Sequence, residues 1–357
     1  MLQNLIENFS IQNLNAFLRS KINSYWTDNE NLDYLFNETI FDKYENVEKQ
    51  GEAKLGNDEI IVITAKTHEP LTDRTGKRNQ YEIAKKIIKQ EVKDGALFVF
   101  YDEQGHFRFS FVKVNYIGTK REFTEFKRYT YFVSKEQTNN TFILQIGGCN
   151  FKSIDEIISA FSVEPLNQQF YIAIQGIFNK LVSTNAVLEL PSTPHTSNQK
   201  IYQEFAVRLI GRTIFCWFLK NKKSDNGVSL IPNEWLSSSA VRNTQGYYHS
   251  ILEKLFFLAL NTKMEDRQNF DLPKEHTQIP FLNGGLFEPH IYDFFRNNRP
   301  NYALKILDAW FKELFEILEQ YNFTIDERSM SDAEVSIDPE MLGTIFENLL
   351  AEIDPDT

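Results

Sequence analysis

Apolar residues recur through the first 46 positions at mixed three- and four-residue spacing. Phe9, Phe17, Leu18, Ile22, Leu32, Leu35, Phe36, Ile40 and Phe41 carry the pattern, which predicts helix. The pattern changes at Val47. Gly56-Asn57 is a turn signal, and Glu59 to Lys66 reads EIIVITAK, a β-rich strand. A polar loop from Pro70 to Gly76 leads into a helix over Asn79–Lys93, with Tyr81, Ile83, Ala84, Ile87 and Ile88 on its apolar side. Four strands are predicted next: Ala96–Tyr101, the alternating Phe107, Phe109 and Phe111, Arg128–Val133, and Thr141–Ile146. Helix, strands, helix, strands is the order of an α/β or α+β domain built on one mixed sheet.

Beyond Pro165 the pattern is helical and no strand is predicted. The helices are Gln168–Leu181, Lys200–Lys220, Tyr247–Leu260 and Tyr302–Tyr321. The loop-like Ser183–Asn198 is the best internal boundary region. Phe205–Leu219 is the most apolar window. It is about one turn short of a membrane span and contains Arg208 and Arg212, so it reads as a buried helix. Near the end, Asp338 is a good N-cap, Pro339 suits the first helical position, and Leu342, Ile345, Phe346 and Leu349 make one apolar face. That face is expected to be exposed and to await a partner surface outside this chain.

Composition adds bounds. At 357 residues, 42% apolar and with 31 Phe, the chain can bury two cores and is not disordered. Cys149 and Cys216 stand far apart, so neither a disulfide framework nor a cysteine metal site is indicated, and a cytoplasmic setting is expected. The N-terminus lacks the basic and apolar regions of a signal peptide. The net charge of −11 is unevenly spread: residues 321–357 hold 10 acidic groups against 1 basic, whereas residues 51–150 hold 16 basic against 13 acidic. The mildly basic middle permits nucleic-acid contact.

The sharpest chemistry is on the Glu59–Lys66 strand. Alternation puts Thr64 and Lys66 on one face, where Mg²⁺-dependent nucleases carry a carboxylate and a lysine two residues apart. Threonine is a poor ligand for a hard cation. The strand's own carboxylates, Asp58 and Glu59, are the candidate metal ligands at its head. Asp58 shares the face but lies about 26 Å from Lys66 along a straight strand, and Glu59 points the other way. Arg74, Lys77, Arg78, Lys85, Lys86 and Lys89 form a basic stretch suited to tracking phosphates of double-stranded DNA, although by charge alone a solvated helix face is the simpler account. The aromatic strands read as core. The six histidines show no metal-binding spacing, and there is no P-loop, GxSxG or dinucleotide fingerprint. Asn283-Gly284-Gly285, between apolar anchors, reads as a structural turn.

Several stretches taken together resemble one family. They are IPFLNGGLFEPH (Ile279–His290), VSIDPEMLGTIFENLLAEI (Val335–Ile353), LTDRTGKRNQYEIAKKI (Leu71–Ile87), GALFVFYDEQGHFRFSFV (Gly95–Val112) and KRYTYFVS (Lys127–Ser134). They are similar to the front half of single-chain type IIG restriction–modification enzymes. The resemblance implies a PD-(D/E)xK nuclease domain over residues 1–164 and an all-α connector over 165–357. An adenine-N6 methyltransferase using S-adenosylmethionine, with its target-recognition part, would follow in cis or in trans. The TGSFYTP-like and NPPY segments of that methyltransferase do not occur here, so the chain is expected to be a fragment or the front gene of a split system. Within the signature, Lys66 matches the lysine and Thr64 stands where Glu or Asp is expected. Gln80 matches a glutamine on the helix of some such nucleases. Glu38, Asp42 or Glu45 of the first helical stretch are alternative metal ligands. The competing reading is a non-enzymatic DNA-binding scaffold that docks a methyltransferase subunit.

Overall fold

The computed structural model describes residues 1–36, 40, 42–72, 77–114, 128–183, 187–196, 198–221, 229–270, 272, 279–282, 284–323, 332–334, 337 and 340–353, without the side chains of 77, 78, 128, 332–334, 342, 352 and 353. The chain folds as two compact units, Met1–Glu164 with Asp326–Ser336, and Pro165–Ile325 with Ile337–Thr357. The Ser183–Asn198 stretch, expected to hold the internal boundary, therefore lies inside the second unit.

The first unit is mixed α/β. Helices α1 (Leu2–Glu7) and α2 (Ile11–Lys21) open it, and the Ser10 hydroxyl caps α2 by accepting from Asn13 N. Helix does not continue to residue 46 as the spacing predicts. Strand β1 (Trp26–Asn31) and the long β2 (Tyr44–Leu55) intervene. β1 is an exposed edge of sequence WTDNEN, so it has no buried face to print a period of two. β2 turns at Gly56, where φ is 66°, into β3 (Asp58–Thr67). Helix α3 (Lys77–Gln90) then crosses to β4 (Gly95–Tyr101), parallel to β3, and β5 (Phe107–Lys113) and β6 (Arg128–Val133) follow antiparallel. The sheet order is β1-β2-β3-β4-β5-β6-β9, the last strand (Asp332–Glu334) pairing parallel with β6.

Alternation splits the sheet into two faces. Ile61, Ile63, Ala65, Ala96, Phe98 and Phe100 pack on Ile83, Ala84, Ile87 and Ile88 of α3. Each such buried side chain contributes about 1.5–3 kcal/mol, apart from the smaller alanines. On the other face, Phe107, Phe109 and Tyr131 meet Phe142 and Phe161. Phe142 belongs to α4 (Asn140–Gly148), the segment read as a strand from its apolar run. A run this short does not separate strand from buried helix by period alone. Helix α5 (Ile154–Ser159) completes this layer, capped by Ser153.

The second unit is largely helical: α6 (Glu164–Ser183), α7 (Gln199–Asn221), α8 (Ser238–Asn243), abutting π-helical segments Tyr248–Leu252 and Lys254–Leu260, α9 (Asp308–Leu318) and α10 (Glu340–Ile353). Two short strands escape sequence reading, β7 (Leu188–Glu189) and β8 (Lys305–Ile306), which pair with each other. α7 is buried on nearly every side. Its Arg208 and Arg212 share the buried carboxylate of Asp293, and Arg212 also donates to the carbonyls of Leu286 and Glu288. The Gly-Gly loop is thus a structural element bolted to α7. Among the described residues, no helix is long and apolar enough to cross a membrane. α10 corrects a further expectation. Met341, Ile345 and Leu349 are buried, and Phe346 lies against Gly211 of α7. The apolar face has its partner within the second unit. Asp338 and Pro339 lie outside the described residues.

Candidate functional site

Lys66 ends β3 beside a group of side chains that the sequence scatters over sixty positions. Its register partner on β2 is Glu45, and the two form an ion pair at 2.8 Å. Glu103, in the turn after β4, sits 2.9 Å from the same ammonium. The other Glu45 oxygen faces His68 Nε2 at 3.6 Å. These hydrogen bonds, Glu45 first, hold the Lys66 ammonium well above its ordinary range, and the Lys66 bond draws the Glu45 carboxyl below its own. Lys66 is accordingly a fixed cation at neutral pH and not a base.

Thr64 is buried one pleat further in. Its partner on β2 is Glu48, and Gln50 Nε2 bridges the two, donating to Thr64 Oγ1 at 2.8 Å and to a Glu48 carboxylate oxygen at 3.0 Å. Two irregularities in β2 make this possible, one between Glu45 and Glu48 and one between Lys49 and Gly51. The first contains Asn46 at φ 53°. Each bulge re-aims the strand, so that Glu45, Glu48 and Gln50 all address the Thr64–Lys66 face. Gln50 is wholly buried, and its Oε1 has no hydrogen-bond partner. Such an oxygen costs free energy unless something supplies a positive charge or a donor.

Other expected site residues fall elsewhere. Asp58 and Glu59 lie at the opposite end of β3, where Glu59 pairs with Lys93 at 3.0 Å and receives nothing from Lys66. Gln80 is buried on the α3 side of the sheet, and its Oε1 accepts from Arg108 at 2.9 Å. Arg108 also donates to the Thr72 carbonyl, so Gln80 serves to seat a buried arginine. Lys85, Lys86 and Lys89 share an outer face of α3, with Lys86 over the Phe36 ring and Lys85 over Tyr81. That helix packs on the sheet face opposite to Thr64 and Lys66. Arg74 and Glu38 lie outside the described residues, as do the side chains of Lys77 and Arg78. Asp42 is described and offers its carbonyl to His68.

Among the described residues, no three His, Cys, Asp or Glu side chains converge closely enough to hold a metal ion on their own. Glu45 is one of the three acidic residues that the sequence offers as alternative ligands, whereas Glu48, Gln50, His68 and Glu103 carry no sequence signal of their own. Counted from the Gly56 turn, a regular strand over residues 44–55 pairs Glu48 with Ala65 on the α3 face; the irregularity between Lys49 and Gly51 moves it to Thr64.

The fold and the cluster define a mixed α/β unit that presents a clamped lysine and β2 carboxylates at one strand end. No family model matches the chain, and no solved structure matches it. The chain is 32% identical over 183 residues to a provisionally named type II restriction enzyme and methyltransferase of Methanocaldococcus jannaschii. The match covers 47% of this chain and 14% of that much longer protein.

Proposed function

We propose that the chain is the front portion of a restriction–modification protein. Its first unit is a PD-(D/E)xK-like nuclease domain acting on double-stranded DNA, and its second unit is a connector toward an adenine-N6 methyltransferase part. The observation that carries the reading is the position of Lys66, at the end of β3 and facing Glu45 and Glu48 of the bulged neighbour strand. The similarity to the M. jannaschii protein supports it.

In this reading Glu48 takes over the role that Thr64 leaves empty. The carboxylate is supplied from the paired position on β2 instead of from β3 itself. Mg²⁺ takes one or two carboxylates and leaves its remaining positions to water and phosphate. Glu45 and Glu48 would hold it, and Gln50, whose Nε2 bonds Glu48 and whose Oε1 is unpartnered, is a further residue with a hard oxygen donor. When bound, the ion would supply charge neutralisation and an acidified water. Lys66 would orient the scissile phosphate as a cation. The lysines of α3 lie across the sheet from Lys66, so with Arg74, Lys77 and Arg78 they would meet phosphates of the duplex only away from the scissile one. S-adenosylmethionine would belong to the methyltransferase part, and no residue of this chain is assigned to it.

The test is cleavage of supercoiled plasmid by the purified chain with Mg²⁺ or Mn²⁺. Wild type should nick it, and Lys66→Met and Glu48→Gln should each lose at least 100-fold, on the order of a positioned catalytic group. Unchanged cleavage in both variants would exclude the site. A second reading has its own support: Lys66 is neutralised by two carboxylates and Thr64 is no ligand, which suits a scaffold that binds DNA without cutting it. Duplex binding with no cleavage under either metal would select that reading.

A further inference from the structure

The second unit carries a feature that the Lys66 chemistry does not use. Arg296-Asn297-Asn298-Arg299 is a tight hairpin. Arg296 N donates to Arg299 O at 3.2 Å, and Arg299 N donates back to Arg296 O at 3.0 Å. Asn297 and Asn298 both have positive φ, 51° and 56°, which is the backbone of a two-residue hairpin turn in its twist-matched form. Residues paired in this way project from the same face, with Cβ atoms about 5 Å apart. The hairpin therefore holds two guanidinium groups side by side. Like charges directly opposite destabilise such a pair. Among the described residues, neither arginine has an ion pair or side-chain hydrogen bond. The buried carboxylate of Asp293, three residues before Arg296 in the chain, is taken up by Arg208 and Arg212.

The two arginines line an open cavity of about 740 Å³. Tyr292, Phe294 and Tyr302 line it too, and among the described residues no acidic side chain does. Tyr302 is 71% exposed, with one ring face resting near His249. Phe294 holds φ at 57°, a costly conformation for a large aromatic residue and one that concentrates where a site must be shaped. A charge pair without a counter-ion, next to the exposed ring of Tyr302 in a concave surface, matches a ligand with an anionic group and a flat ring.

We propose that this cavity binds a nucleotide unit, its phosphate between Arg296 and Arg299 and its base against Tyr302. Guanidinium forks fit phosphate oxygens, and ring stacking accepts any base. The unit has two sources, a free nucleotide or one residue of a single strand. The inference is independent of the Lys66 cluster and stands whether or not the first unit cuts DNA.

The experiment is fluorescence anisotropy on the purified full chain with three probes: a mant-labelled deoxyadenosine triphosphate, a fluorescein-labelled single-stranded 20-mer, and the same 20-mer as a duplex. Arg296→Ala/Arg299→Ala should weaken binding about tenfold and lower the steepness of the salt dependence. Tyr302→Ala should weaken it without changing the salt dependence. All three positions are exposed, so the fold should survive, which circular dichroism checks. Loss on the mononucleotide marks the free-nucleotide source, and loss on the single strand alone marks the strand source. A Lys85→Ala/Lys86→Ala/Lys89→Ala variant separates this site from the α3 face, since it should respond to the arginine changes as wild type does. If wild type binds none of the probes, or if the arginine variant binds all three as wild type does, the proposal is wrong.

Discussion

Gly211→Ala puts the packing of α10 on α7 to a test in which two physical effects have opposite signs. Gly211 sits in the interior of a 23-residue helix. Helix propensity alone says that alanine there should stabilise by about 1 kcal/mol. The structure says otherwise. A Cβ at 211 would lie well inside 3.0 Å of the Cζ and Cε1 atoms of Phe346, a separation real Cβ atoms do not show. The ring must shift by more than an ordinary rotamer adjustment, and overpacking of this kind costs about 1–3 kcal/mol. With overlap at two ring atoms, the upper end applies, leaving a net loss of about 2 kcal/mol after the propensity gain. For a unit of this size that is a fall of roughly 4–8 °C in Tm. Differential scanning calorimetry reads the transition, and hydrogen exchange of residues 340–353 localises it. Phe346→Ala placed in the Gly211→Ala background should cost less than the two single changes added together, with a coupling of at least about 1 kcal/mol. A rise in Tm for Gly211→Ala, with exchange in α10 unchanged, would mean that the helix does not pack as described.

Other consequences are checked as directly. His249 Nδ1 and Glu253 lie 2.7 Å apart in the second unit. Burial lowers the His249 affinity for its proton, but the Glu253 bond and the Leu304 carbonyl outweigh it and leave it raised, while burial raises Glu253. Both groups bind protons more tightly folded than unfolded. Their stabilisation is complete below the ordinary glutamate range and is lost as pH rises from there through neutrality, so Glu253→Gln should flatten the pH dependence of urea denaturation between about pH 5 and 8. Lys220, half-buried over the Trp217 ring, has its pKa pushed down to about 8 by desolvation. Reductive ¹³C-methylation and NMR should find one lysine titrating there, and stability should rise with pH from that value to the ordinary lysine range. Glu52, which burial raises but Lys49 and Lys93 bring below its usual range, pins the far end of β2 and β3. Glu52→Gln should lower stability at pH 7 and make no difference at pH 2, as measured by chemical denaturation.

How far the sequence could be read depended on which residues had a face to report. β3 and β4 are legible because burial on both faces makes them near-continuous apolar runs, and α3 prints its period because four aliphatic residues face the sheet. β1 has no buried face to mark it, and the apolar run of α4 is short enough to read as a buried strand or a buried helix. At the candidate site, Lys66 was legible through its place on β3, whereas Glu48 and Gln50 owe their aim to two bulges, which leave no trace in residue order. Gln80 shows the converse. Its position on a helix suggested chemistry, yet a polar residue on a buried face can equally be the seat of an arginine from across the sheet.

The parallel pairing of β9 with β6 has a consequence during synthesis. Arg128 and Asp332 are register partners at opposite ends of most of the chain. At the ribosomal rate of about 5–20 residues per second, β6 waits roughly 10–40 s for its last neighbour. Through that interval Arg128, Tyr129 and Thr130 form an unpaired edge on a nascent sheet, in a topology that joins strands far apart in sequence. Co-translational folding of the first unit is therefore expected to stall one strand short of completion. That interval is when a holdase chaperone, or a second nascent chain on the same polysome, would meet the protein.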